Sequence, residues 1–174
     1  EKAMMVRLPW ADAPATPANP EAVIDVLKDV RAHVKTDARL DADALATDIQ
    51  RQLGFDEIWS GDDPLDRKMT WDQVRELDSH DLFRVGGHSH EHGILAFLTP
   101  GRLAAELDQS LDLLERKAGI GPTHYSYPEG LAHCYSDAVI DALKARGVEC
   151  CPTAEDGVNP PDTDLFRLKR IMVM

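Results

Sequence analysis

Apolar positions recur at helical spacing twice near the start of the chain. In NPEAVIDVLKDVRAHV, residues 19–34, Val23, Val26, Leu27, Val30 and Val34 share one face at the three- and four-residue intervals of an amphipathic helix. Asn19 offers a capping side chain, and Pro20 suits the first helical turn, where its missing N–H is no loss. In DADALATDIQRQLG, Leu45, Ile49 and Leu53 form a second stripe, which Asp41 caps and Gly54 stops. Ahead of both helices, ADAPATPANP carries three prolines among small residues and reads as an irregular lead-in. After them WSGDDPLDRK reads as a loop, with turn chemistry at Gly61, Asp62, Asp63 and Pro64. Residues 1–69 are therefore expected to form an irregular segment with inserted or packing helices.

From residue 70 the pattern becomes regular. Thr70 and Gln73 make a capping box for the helix TWDQVRELDSH, after which FRV, residues 83–85, is expected as a short strand inside a sheet. Thr99 and Pro100 open TPGRLAAELDQSLDLLERKAG, whose Leu103, Leu107, Leu111 and Leu114 keep helical period until Gly119. THYSYP reads as the next strand, and SDAVIDALKARG as a helix capped by Ser136 and closed by Gly147; VECC and LFRLKRIMVM supply further strands. Alternating helices and strands at this spacing predict an α/β fold with a mainly parallel sheet, its function at strand ends and the loops that follow them. Residues 70–174 form this second region.

Composition narrows the chemistry. The chain has 174 residues, the size of one ordinary domain, with 43% hydrophobic and 29% charged residues, which suits a folded globular protein. A formal charge of -12, with no long Lys/Arg cluster, argues against nucleic acid or an anionic membrane surface as partner. No stretch approaches the roughly 20 apolar residues of a membrane span, and EKAMMVRLPW lacks the basic, apolar, small order of a signal peptide. The cytoplasm is slightly favoured on that ground, without being assigned. Cys134, Cys150 and Cys151 cannot make a complete disulfide set and read as reduced thiols. The sequence starts at Glu1 rather than Met, as a processed form or a piece of something longer would.

The densest chemistry lies in GGHSHEHG, residues 86–93. Neutral imidazole is the commonest metal-binding side chain, and His88 and His92 can share a cation if the glycine-flanked backbone turns them together. The competing reading is a surface loop whose histidines serve only as hydrogen-bonding groups. His90 and Glu91, between the two, are expected to be exposed.

The run MTWDQVRELDSHDLFRVGGHSHEHGIL, residues 69–95, resembles the second motif region of the polysaccharide deacetylases of the NodB-homology type, carbohydrate esterase family four. That family has a helix opening on Thr-Trp, a strand, and then a His-Ser/Thr-x-x-His metal motif. The likeness continues in order: Tyr125, Ser126, Tyr127, Pro128, Glu129 and Gly130 resemble its third motif, and Thr153, Gly157, Asn159, Leu168 and Arg170 follow its tail. Taken alone, the YPEG stretch reads first as a plain turn ending a strand.

The resemblance implies an incomplete (β/α) barrel with extra N-terminal helices, and a hydrolase that removes N-acetyl groups from a polysaccharide or amino sugar. By it, His88 and His92 are ligands of one divalent metal, zinc first, with cobalt or nickel as alternatives; Ser89 buttresses the loop. Such a metal polarises the acetyl carbonyl and lowers the pKa of bound water. The backbone N–H of Glu129 would hold the oxyanion, with Tyr127, Pro128 and Gly130 shaping the substrate groove. Arg170 could orient a catalytic carboxylate, although a strand-end arginine is more often a surface or ion-pairing residue, and His124 and His133 flank the same mouth. Two departures stand out: no stretch matches the family's Thr-Phe-Asp-Asp-Gly strand, since Asp62-Asp63 reads as a turn, and no Leu-x-His follows Arg170. A missing N-terminal segment, or another chain, is therefore expected to complete the barrel and cover its open edges. A catalytically inactive carbohydrate-binding relative and a metal-binding scaffold protein are the alternative readings.

Overall fold

The computed structural model describes residues 4–55, 65 and 67–173; the turn expected at Asp62-Asp63, with most of its loop, lies outside the described residues. The chain divides into two compact units, Glu1–Arg67 and Lys68–Met174.

In the first unit, α1 spans Pro20–Thr36 and α2 spans Ala42–Leu53. The caps form as their sequences dictate: Asn19 and Asp41 accept from the N–H groups of Ala22 and Ala44, and Gly54 closes α2 in the left-handed region at φ 78°. Within this unit the apolar stripe of α1 stays open, with no fully buried residue and Leu27 50% exposed, whereas α2 buries Leu45. The proline-rich lead-in is more ordered than its composition predicts. Val6 and Ala15 exchange both backbone hydrogen bonds as an antiparallel bridge, and the Gln52 side chain pairs with both the N–H and the C=O of Arg7.

In the second unit, α3 is Trp71–Ser79, α4 is Pro100–Ala118 and α5 is Asp137–Lys144. Thr70 and Gln73 form the reciprocal capping box, Gly119 ends α4 at φ 74°, and Ser136 caps α5. α5 stops at Lys144, short of the expected Gly147, which instead closes a following turn at φ 82°.

The parallel sheet is present but reduced. β1, Pro152–Asp156, pairs in parallel with β2, Leu168–Arg170. Single parallel bridges join Gly87 to Tyr125 and His124 to Cys150, so the segments around 87, 125, 150–156 and 168–170 lie side by side in chain order. That succession, with α4 and α5 between its first three members, is a sector of a β/α barrel: an incomplete α/β barrel, as the alternation predicted.

Three expected strands differ in detail. FRV makes no ladder, because its N–H groups are taken locally: Phe83 donates to His80 O, and Val85 to Asp78 Oδ1 at 2.9 Å. Phe83 is 49% exposed, and sheet pairing begins only at Gly87. VECC contributes one bridge at Cys150, and the strand proper starts after it, at Pro152. LFRLKRIMVM opens instead with a single 3-10 turn, Leu165–Arg167, because Asp164 caps it by accepting from Phe166 N; β2 is what remains.

Beneath the bridged segments lies the core of this unit, in which Leu95, Leu107, Leu143 and Cys151 are fully buried beside Tyr125 and Tyr127. This packing fixes the ends of the 87 and 125 segments, where the histidine loop and YPEG begin.

Candidate functional site

The histidine loop leaves the Gly87 bridge and turns sharply. Ser89 and His92 both lie in the left-handed region, at φ 70° and 59°, and the third described non-glycine residue at positive φ is Glu129, at 60°. Each such residue costs on the order of 1–3 kcal/mol and persists only where its surroundings over-determine it. All three fall on the two loops that the sequence singled out.

The strain brings the imidazoles together. His88 Nε2 and His92 Nε2 are 3.0 Å apart, with the rings edge-to-face. His88 Nδ1 lies 2.9 Å from the backbone oxygen of Ser126 and 2.8 Å from its hydroxyl. A carbonyl oxygen can only accept, so in the neutral ring this contact places the proton on Nδ1 and the lone pair on Nε2. Two nitrogens at this separation need a proton or a cation between them. For comparison, two imidazoles bound to one tetrahedral zinc at about 2.0–2.1 Å lie roughly 3.3–3.4 Å apart. The pair is within a few tenths of an ångström of that spacing, and its outer hydrogen bond is of the kind that orients metal-ligating histidines. The donor chemistry of these two residues therefore fits a divalent metal. Among the described residues no group of three His, Cys, Asp or Glu converges that could complete such a site. His90 and Glu91 are exposed, as expected from the sequence.

The loop is held from several directions. Ser89 N donates to Tyr125 Oη at 2.7 Å, His92 N to Ser89 Oγ at 2.9 Å, and His90 N and Glu91 N both to Glu106 Oε1 at 2.7 Å. Ser89 thus buttresses the turn through its hydroxyl. Burial pushes the Tyr125 phenol up to about 12, so it stays neutral and keeps its hydrogen bond across ordinary pH. Glu106 was not singled out by the sequence. A signal was present: an acidic residue three positions after Leu103 and directly before Leu107, on the apolar face of α4, is placed where burial is expected.

In the third motif, Ser126 reaches His88 as described, while Tyr127 and Pro128 are packed inside. Tyr127 is 2% exposed, stacks on Tyr135 with ring centroids 4.5 Å apart, and donates to Phe166 O at 2.9 Å. Gly130 sits at φ 68°, where an added Cβ would meet Ala154 N at 2.8 Å. The flanking candidates are engaged elsewhere: His124 pairs with Thr123 Oγ1, His133 packs near Phe97, Asp164 caps the 3-10 turn, and Arg170 Nε donates to Thr153 O.

Comparison with known proteins gives the geometry a context. The polysaccharide deacetylase family model matches residues 2–151, a span that begins well before Met69, where the motif likeness starts. The Streptococcus pyogenes deacetylase PplD, solved in complex with acetate, is similar in structure with a TM-score of 0.55 at 21% identity, over 61% of this chain and 45% of that one. The deacetylase domain of BpsB from Bordetella bronchiseptica gives 0.55 at 22%, over 63% and 51%. These likenesses establish the fold. In sequence, the chain is 30% identical over 69 residues to the uncharacterized protein YlxY of Bacillus subtilis (strain 168), covering 40% of this chain and 21% of that one. The chain spans no more than 51% of the length of any of these three relatives. No described helix is long and apolar enough to cross a membrane. Resting on the family match across most of its length, the assignment follows: the chain belongs to the polysaccharide deacetylase family.

Proposed function

We propose that this chain carries part of the active site of a metal-dependent hydrolase that removes N-acetyl groups from a polysaccharide or amino sugar, with His88 and His92 as ligands of one divalent metal, zinc first. The observation that carries the reading is the facing Nε2 pair, 3.0 Å apart, with His88 Nδ1 pinned on Ser126. A bound metal would supply Lewis acidity toward the acetyl carbonyl and toward water. The chain's own residues do the rest. His88 and His92 present lone pairs from a turn that fixes their spacing. Glu129, whose left-handed backbone turns the peptide at the loop tip, offers its N–H to the oxygen on which negative charge develops. Gly130 permits that turn against β1, and Tyr127 and Pro128 back the groove wall from inside the core.

The test is a zinc titration of this chain followed by calorimetry, together with deacetylation of an N-acetylglucosamine oligomer by the full-length protein. Activity lost to a chelator and regained with zinc is expected. Both His88→Ala and His92→Ala should abolish zinc binding while the fold persists. Zinc binding that survives both substitutions refutes the ligand assignment. Metal binding without deacetylation by the full-length protein would favour an inactive carbohydrate-binding relative.

A further inference from the structure

We infer that Glu106 is the positioning residue that sets the separation of the His88 and His92 imidazoles, acting through the backbone between them. The clamp is independent of any metal; its consequence for metal affinity rests on the function proposed above.

Four consecutive N–H groups, those of residues 89 to 92, are each held by a side-chain oxygen: Tyr125 Oη, Glu106 Oε1 twice, and Ser89 Oγ. The middle two converge on one carboxylate oxygen at 2.7 Å each, the short distance typical of charge-assisted hydrogen bonds. His90 and Glu91 are the residues that connect the outer turn positions, Ser89 and His92, both at positive φ. Fixing their peptide planes fixes the arc along which the chain returns from His88 to His92. Without that anchor the left-handed residues are free to relax toward ordinary φ, and the rings separate.

The burial of Glu106 calls for partners. It is 7% exposed, on the face of α4 that also buries Leu103, Leu107 and Ser110. A carboxylate there loses its hydration, a loss offset only by donors that converge on it. Among the described residues, the donors it receives are the two loop amides. Packing alone would be served by another leucine.

The experiment compares wild type with Glu106→Gln, Glu106→Ala and the packing control Leu103→Ala, using amide hydrogen exchange resolved at residues 89–92 and titration with zinc chloride. Glutamine keeps the shape and an accepting oxygen but removes the charge, so it separates the clamp from packing. In wild type, His90 and Glu91 amides should exchange slowly although the residues are exposed; exchange at unprotected rates overturns the inference without any variant. Glu106→Gln should speed exchange at those two amides by about tenfold and weaken zinc by about 10–100-fold, the range for residues that orient metal ligands. Leu103→Ala should lower the melting temperature and move neither reading. Equal effects from Leu103→Ala and Glu106→Gln would show generic destabilisation and overturn the inference. Faster exchange with zinc affinity unchanged would overturn it too, since the loop would then be held without positioning the rings. If wild type takes up no zinc, the proposed function fails while the exchange measurement still decides the clamp.

Discussion

Replacing Gly87 by alanine tests how rigidly the site is built into the core. A Cβ at residue 87 would stand 2.3 Å from Tyr125 Cδ2 and 2.6 Å from Cε2. Carbon atoms prefer about 3.5–4.0 Å, so the overlap exceeds 1 Å by this measure. Neither side can yield easily. Tyr125 is 1% exposed, and its hydroxyl holds Ser89 N; Gly87 donates to His124 O at 2.9 Å and accepts from Ser126 N at 2.9 Å. Overpacking in a dense core costs about 1–3 kcal/mol, and the lack of room on both sides puts this variant near 3. For a domain of this size that is a fall of roughly 6–12 °C in melting temperature. Urea denaturation followed by circular dichroism gives the free energy, and the exchange rate of the Ser89 amide reports whether the tyrosine has let go of the loop. A loss below about 0.5 kcal/mol, the range of a neutral surface change, with Ser89 still protected, would refute the argument that Gly87 is required by the close approach of Tyr125.

Further outcomes follow from other contacts. The Asn159 side chain brackets β2 by donating to Lys169 O at 2.9 Å and accepting from Lys169 N at 2.8 Å, so Asn159→Ala should cost about 1 kcal/mol. Faster exchange of the Lys169 amide would confirm the cause, and an unchanged rate would exclude it. Burial pushes the Cys151 thiol up to about 12, and both Cys151 and Cys134 are fully buried. Alkylation of the native chain should therefore modify Cys150 first, as mass spectrometry of digests would show. Because the folded chain holds the Cys151 proton more tightly than the unfolded one, its contribution to stability is complete below about pH 9 and is lost as pH rises toward about 12. Cys151→Ser, which moves the titration out of that range, should flatten the loss.

The sequence alone determined whatever depends on neighbours along the chain. Asn19, Asp41, Thr70 with Gln73, and Ser136 cap their helices because an N-cap needs only a side-chain oxygen two or three residues from an orphan N–H. Gly54 and Gly119 end theirs because only glycine enters the left-handed region without strain. The alternation of elements carried the α/β class, and the order of two short motifs carried the family. Tertiary structure decided what depends on chain segments meeting at a distance. FRV has the composition of a strand, yet its N–H groups found Asp78 and His80 before they found a neighbour. The sequence placed Ser89 beside the imidazoles, but that Ser126 orients His88 and that Glu106 gathers two loop amides are facts about segments 38 and about 15 residues apart. No periodicity encodes such contacts; they arise when α4 and the bridged segments are packed together, and the same packing gives the two rings their 3.0 Å spacing.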